Sequence, residues 1–173
     1  MSSVKYKLTY FYQRGRAEPI RVLFAALNIP FEDHRIEFSD WATLKSKIPT
    51  HRLPYLEIVG ESGETRGYSE SMAIARFIAH ENNMMGRTSD EYYKIEKIIS
   101  LSIYKSLKES SGPFVTGDKP SFGDLYLLTV MDHVQEMDYY LSQSPYFAAH
   151  REAVLKEFPK LAEYLKTRPV TPI

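Results

Sequence analysis

Residues 8–21 read LTYFYQRGRAEPIR, and the fold turns on how their pattern changes along the way. Residues 6–11 (YKLTYF) are aromatic and β-branched, the composition of a strand. QRGR then makes a turn, and from Ala17 the apolar spacing lengthens: Ile20, Leu23, Phe24 and Leu27 recur at i, i+3, i+4 and i+7. That spacing predicts an amphipathic helix, with Pro19 in its first turn, where no N–H partner is lost. A strand feeding directly into a helix is how an α/β layer begins.

The chain downstream continues the layer. Residues 31–38 (FEDHRIEF) predict a second strand, and Ser39 or Asp40 then caps a short helical piece, WATLKSK. Leu53-Pro54 leads into a third strand over 55–59, ESGE makes a tight turn, and 65–68 is a short fourth strand weakened by Gly67. A second clear helix covers 72–80, with Ile74, Phe77 and Ile78 on one face. The order β-α-β-α-β-β-α in about 80 residues is one small α/β domain, assigned to residues 1–81.

Residues 82–87 (NNMMGR) are a linker, and everything after them is helix or turn. Thr88-Ser89-Asp90-Glu91 has the spacing of a capping box. It opens a helix whose inner face carries Ile95, Ile98, Ile99, Ile103 and Leu107. Ser121-Phe122-Gly123-Asp124 is a similar start for a helix with Leu125, Leu128 and Met131. Further helices run through Val154, Leu155 and Phe158, then through Leu161, Tyr164 and Leu165, stopped at Pro169. Residues 88–173 therefore form a second, all-helical domain.

Composition narrows the chemistry. Hydrophobic residues at 43% and charged residues at 25% are those of a globular chain. Lysine plus arginine balances aspartate plus glutamate, 22 against 22, so the basic excess of a nucleic-acid or membrane-surface binder is missing. No apolar run reaches the ~18 residues of a transmembrane helix. MSSVKYKLTY starts on strand-like residues without a signal-peptide pattern, and the expected compartment is the cytoplasm. There is no cysteine, which excludes a disulfide, a zinc ribbon or a CxxC redox motif. Any thiol in the chemistry must arrive with a ligand.

LTYFYQRGRAEPIR, DHRIEFSDWATLKSK, LPYLEI and ESMAIARFI fall in order along residues 4–90, and FVTGDKPSFGD follows at 114–124. This series resembles the sigma-class glutathione transferases, among them nematode enzymes and the vertebrate hematopoietic prostaglandin D synthase. The resemblance implies a thioredoxin-like N-terminal domain, a helical C-terminal domain and a homodimer, with glutathione as co-substrate and no further cofactor.

It also implies roles for particular residues. Tyr10 matches the catalytic tyrosine, and Arg16 an arginine beside the tyrosine and thiol. On residue type alone Tyr10, one of 13 tyrosines, would be a packing side chain; the surrounding motif is what makes it catalytic. A thiol with a pKa of roughly 8.5 is mostly protonated at neutral pH, and a phenolic donor favours the reactive anion. Glutathione carries two carboxylates and one ammonium. By resemblance Ser71, at a helix start, takes the γ-glutamyl carboxylate, although it also reads as a plain N-cap. Trp41 and Lys45 lie four apart on one helical face and would meet the glycyl end, with Arg52 beside them; alone, Lys45 would be a solvated lysine. Leu53 would offer its backbone to the cysteinyl amide if Leu53-Pro54 is cis; an ordinary proline opening a strand also fits.

Three features depart from the family pattern. Glu70 stands where glutamine is usual, and its carboxylate could pair with the γ-glutamyl ammonium or simply favour the helix dipole. Ser100, Ile103 and Tyr104 occupy positions where sigma enzymes often carry aspartates, so a trans carboxylate and an acidic metal site between subunits are not expected. Finally, only KESSGP joins Leu107 to FVTGD, where the family has about thirty more residues, roughly two helices of mean length. The expected activity is thiolate attack by bound glutathione on a small hydrophobic electrophile, as in detoxification. Prostaglandin isomerisation is a narrower form of the same chemistry. The rival is a non-catalytic binding or structural protein, like the lens crystallins derived from this family.

Overall fold

A computed structural model describes residues 4–100, 110–133 and 145–171. By internal contacts the chain divides into residues 1–75 with 168–173, and residues 76–167, a division that cuts the third helix and groups the tail with the first unit.

The first unit is a thioredoxin-like layer. Its sheet has the order β2-β1-β3-β4, built from β1 (Lys5–Phe11), β2 (Glu32–Ile36), β3 (Tyr55–Val59) and β4 (Thr65–Ser69). β1 pairs parallel to β2 and antiparallel to β3, and β3 pairs antiparallel to β4. As an inner strand β1 is covered on both sides, so Leu8, Thr9 and Tyr10 are all buried. α1 (Glu18–Ala26) follows a 3-10 turn, Gly15–Ala17, and every residue from Glu18 to Phe24 is buried. Ile20, Val22, Leu23 and Phe24 are fully so, each side chain contributing about 1.5–3 kcal/mol.

β2 stops at Ile36, two residues before the expected end, because Phe38–Asp40 turns into a 3-10 helix. α2 (Trp41–Leu44) continues it and tightens again over Lys45–Lys47; neither Ser39 nor Asp40 supplies a side-chain cap. The Leu53–Pro54 bond is cis. β4 runs through Gly67 to Ser69. α3 (Ser71–Glu81) begins on Ile74 N–H donating to the Glu70 carbonyl, so the N-cap position belongs to Glu70 rather than Ser71.

The second unit is helical: α4 (Ser89–Ile99), α5 (Phe122–His133), α6 (Pro145–Glu157) and α7 (Pro159–Thr167) among the described residues. Thr88 Oγ1 caps α4 by accepting the Glu91 N–H at 3.2 Å. The reciprocal half of the box is displaced by one residue: the Glu91 carboxylate takes the Arg87 N–H at 2.6 Å and its guanidinium at 2.8 Å. Ile95, Ile98 and Ile99 are buried as expected, while Ile103, Tyr104 and Leu107 lie outside the described residues. Ile98, Val115, Leu127 and Phe147 form a cluster with Tyr126 and Met131 against it. Phe158 is the joint of the last two helices. Its N–H closes α6 on Val154, and its carbonyl opens α7 by accepting from Ala162, since the following proline disfavours helix at this residue.

Candidate functional site

Tyr10 sits one residue before the end of β1, opposite Arg35 of β2. Its hydroxyl oxygen accepts the Arg16 N–H at 3.3 Å. That contact occupies a lone pair and leaves the phenolic proton to be donated elsewhere. Gly15 makes the approach possible: at φ +42° it takes a backbone conformation that L side chains avoid, and a Cβ there would lie 2.9 Å from the Tyr10 hydroxyl. The Arg21 guanidinium lies 6.0 Å from the Tyr10 ring centroid.

Arg21 holds the whole turn. It is fully buried, donates through Nε to Asp33 on β2 at 2.9 Å, and through Nη1 to the Gln13 and Arg14 carbonyls at 3.0 and 3.2 Å. Neither Arg21 nor Gly15 stood out in the sequence. An arginine inside an amphipathic period normally marks the solvent face, but α1 has no such face over its first two turns.

A cavity of about 350 Å³ opens where this turn, α2, the loop before β3 and the start of α3 converge. Of the residues predicted for the site, Arg16, Trp41, Arg52, Leu53, Glu70 and Ser71 line it; Phe11, His51 and Pro54 complete the wall. Tyr10 is not part of the lining and reaches the wall through Arg16. Lys45 is exposed and does not line it either, although its N–H bonds back to Trp41 and the two residues share one turn. Phe11 packs edge-on to Trp41 at 6.0 Å and stacks on Phe38 at 4.3 Å, which fixes the indole.

His51 was not anticipated. At φ +52° it turns the loop, and its Nδ1 lies 2.8 Å from the Lys45 carbonyl, tying the end of α2 to the strand that follows. Glu70 is also at positive φ, +69°, immediately before α3. Arg52 Nη1 meets Glu70 Oε1 at 2.8 Å. The resemblance assigned these two to opposite ends of glutathione, whereas here they neutralise each other. The cavity therefore offers two guanidiniums, one carboxylate and the Ser71 start of α3 on a wall otherwise built from an indole, a phenyl ring, the His51 imidazole and Leu53-Pro54. Among the described residues no group of three or more histidines, aspartates or glutamates is placed to hold a metal ion. Ser100 closes α4 by donating its N–H to Glu96.

Comparison with known proteins gives a consistent result. The family description of the glutathione S-transferase N-terminal domain matches residues 6–80, and that of the C-terminal domain matches residues 75–168. The class-mu 28 kDa glutathione S-transferase of Schistosoma japonicum is 39% identical over 203 aligned positions, spanning 95% of this chain and 98% of that protein. Those positions outnumber the 173 residues of this chain, so the relative carries residues that have no counterpart here. Human hematopoietic prostaglandin D synthase is 35% identical, over 79% of this chain and 66% of that protein. Among solved structures, the sigma class enzyme of Fasciola hepatica superposes with a TM-score of 0.84 at 33% identity, covering 98% of this chain and 99% of that one. Matched in both halves and in the right order, the chain belongs to the glutathione S-transferase family.

Proposed function

We propose that this protein conjugates the thiol of glutathione to small hydrophobic electrophiles, as a sigma-type transferase of the cytoplasm that works as a homodimer. The observation that carries the reading is the charge pattern of the cavity: Arg16, Arg52 and the N-terminus of α3 against Glu70, the complement of two carboxylates and one ammonium. Ser71, at the start of α3, takes the γ-glutamyl carboxylate. Glu70 takes the ammonium, Leu53 pairs with the cysteinyl backbone, and Trp41 receives the glycyl end with Arg52 and Lys45.

The Tyr10 hydroxyl donates to the sulfur. Its oxygen is already engaged by Arg16 N–H, which aims the proton away from the turn, and the positive end of α1 adds to the field. The thiol releases its proton to solvent, the resulting thiolate attacks the electrophilic carbon, the carbon–sulfur bond forms, and the leaving group departs with the electron pair of its broken bond to that carbon. Glutathione is the co-substrate, and no other cofactor is required. The short connection KESSGP between Leu107 and Phe114, where the resemblance implies about thirty more residues, favours one rival, a glutathione-binding protein without turnover. An assay with glutathione and an aromatic halide separates the two: halide release identifies a transferase, whereas tight glutathione binding with no release leaves only the binding protein.

A further inference from the structure

Glu18 opens α1 with a buried carboxylate that carries a cation on each oxygen. Arg21 Nη1 lies 3.2 Å from Oε2, and Arg168 Nη1, from the tail 150 residues away, lies 2.8 Å from Oε1. Arg21 Nη1 has two protons but three acceptors within reach: Glu18 Oε2, the Gln13 carbonyl and the Arg14 carbonyl. How those protons divide depends on how strongly Glu18 pulls, and that depends on how far Arg168 neutralises it. The two carbonyls belong to the turn whose Arg16 N–H meets the Tyr10 hydroxyl and whose Gly15 lies against it.

We propose that Arg168 is a positioning residue for the thiol-activating hydroxyl, acting through Glu18 and Arg21 on residues 13–16. Without the Arg168 guanidinium, Glu18 is a buried carboxylate with less compensation, and it draws the shared Arg21 protons away from the turn. The Gln13 and Arg14 carbonyls lose their anchor, and the Arg16 N–H no longer holds a fixed place for the phenol. The inference rests on the transferase reading for its consequence, but not for its geometry.

The test uses the full chain with Arg168→Met, Arg168→Lys and the double variant Glu18→Gln/Arg168→Met. One measurement is amide hydrogen exchange in residues 12–17, with 55–69 of the same unit as an internal standard. The other is the pH midpoint at which the ultraviolet absorbance of bound glutathione thiolate develops. Arg168→Met should speed exchange over 12–17 by about tenfold, the loss of one charge-assisted hydrogen bond, leave 55–69 as in the parent, and move the midpoint to higher pH. Arg168→Lys should restore both. The double variant, in which the pull of Glu18 is gone, should keep the turn as slow as in the parent. Equal acceleration in both segments means that Arg168 only stabilises the fold, and unchanged exchange in 12–17 means that it does not reach the turn; either overturns the proposal. A loosened turn with an unmoved midpoint also overturns it. If the parent itself forms no thiolate, the transferase reading fails, and the exchange comparison alone decides whether Arg168 positions the turn.

Discussion

Arg52 and Glu70 stand 18 residues apart in sequence and 2.8 Å apart at their charged tips, on the wall of one cavity. Both side chains are well exposed, 73% and 64%, and an ion pair so hydrated contributes only about 0–1 kcal/mol. A ligand bringing an ammonium for one and a carboxylate for the other can part them at small cost. Glu70→Gln should therefore weaken glutathione binding by roughly tenfold or more, the effect of one charge-assisted contact. The same change should spare deaminated glutathione, which has no ammonium. Calorimetry with both ligands decides; equal losses would leave Glu70 only its place before α3.

Tyr10→Phe keeps the ring in its place but removes the donor. Turnover should fall on the order of 10²-fold or more while glutathione affinity stays near that of the parent. A variant as fast as the parent would mean that another group stabilises the thiolate.

Gly15→Ala attacks the same hydroxyl from below. The added Cβ would press within 2.9 Å of the phenolic oxygen at a backbone φ of +42°, so the turn must shift or the ring must move. Stability should drop by about 1 kcal/mol or more. Turnover should drop further than that loss explains, seen as a lower kcat at saturating glutathione in protein that remains folded.

The layer architecture was legible because strand and helix periods alternate cleanly from Leu8 onward, and because buried aliphatics on α1 and α4 keep the helical spacing. What stayed hidden depends on partners far away in sequence. Arg21 has the ordinary look of an exposed helical arginine, and only Asp33, Glu18 and two carbonyls make it a buried anchor. The Ser121–Asp124 spacing showed a helix start but not that Asp124 also gathers Val115 and His150. Glu37 and Phe38 differ little in kind from residues inside a strand, yet β2 ends at Ile36 and Phe38 lies in the 3-10 turn to α2, stacked on Phe11 of the neighbouring strand.

Acid should weaken the helical unit through Glu91. Its bonds to the Arg87 guanidinium and N–H lower its pKa from the ordinary 4.5 to about 2. A folded value below the unfolded one means the stabilisation is complete above pH 4.5 and is lost as pH falls through about 2. Glu91→Gln should melt below the parent at neutral pH, and the gap should close as the pH is taken from 4.5 towards 2. Thermal melts of the two proteins across that window test it, and a gap independent of pH would remove the ionic explanation.

Asp124 gives the most demanding prediction. Its side chain is fully buried; Oδ2 accepts the Ser121 N–H and Oγ–H at 2.7 Å each, and Oδ1 accepts the Val115 N–H and lies 2.8 Å from His150 Nε2. One carboxylate thus fixes the start of α5, the loop before it and a residue of α6. Asparagine is no substitute, because its amide nitrogen would face donors where the second oxygen accepted them. Asp124→Asn should cost on the order of 3–5 kcal/mol, the usual result of breaking a buried charged network at one member. His150→Leu removes a single donor and should cost about 1–3 kcal/mol. Urea unfolding of both variants gives the ranking. Since the proposed glutathione contacts come from residues 10–71, any folded fraction of either variant should bind glutathione as the parent does. Asp124→Asn losing less stability than His150→Leu would show that the two backbone donors find water or another acceptor, and that the carboxylate is not the keystone of the helical unit.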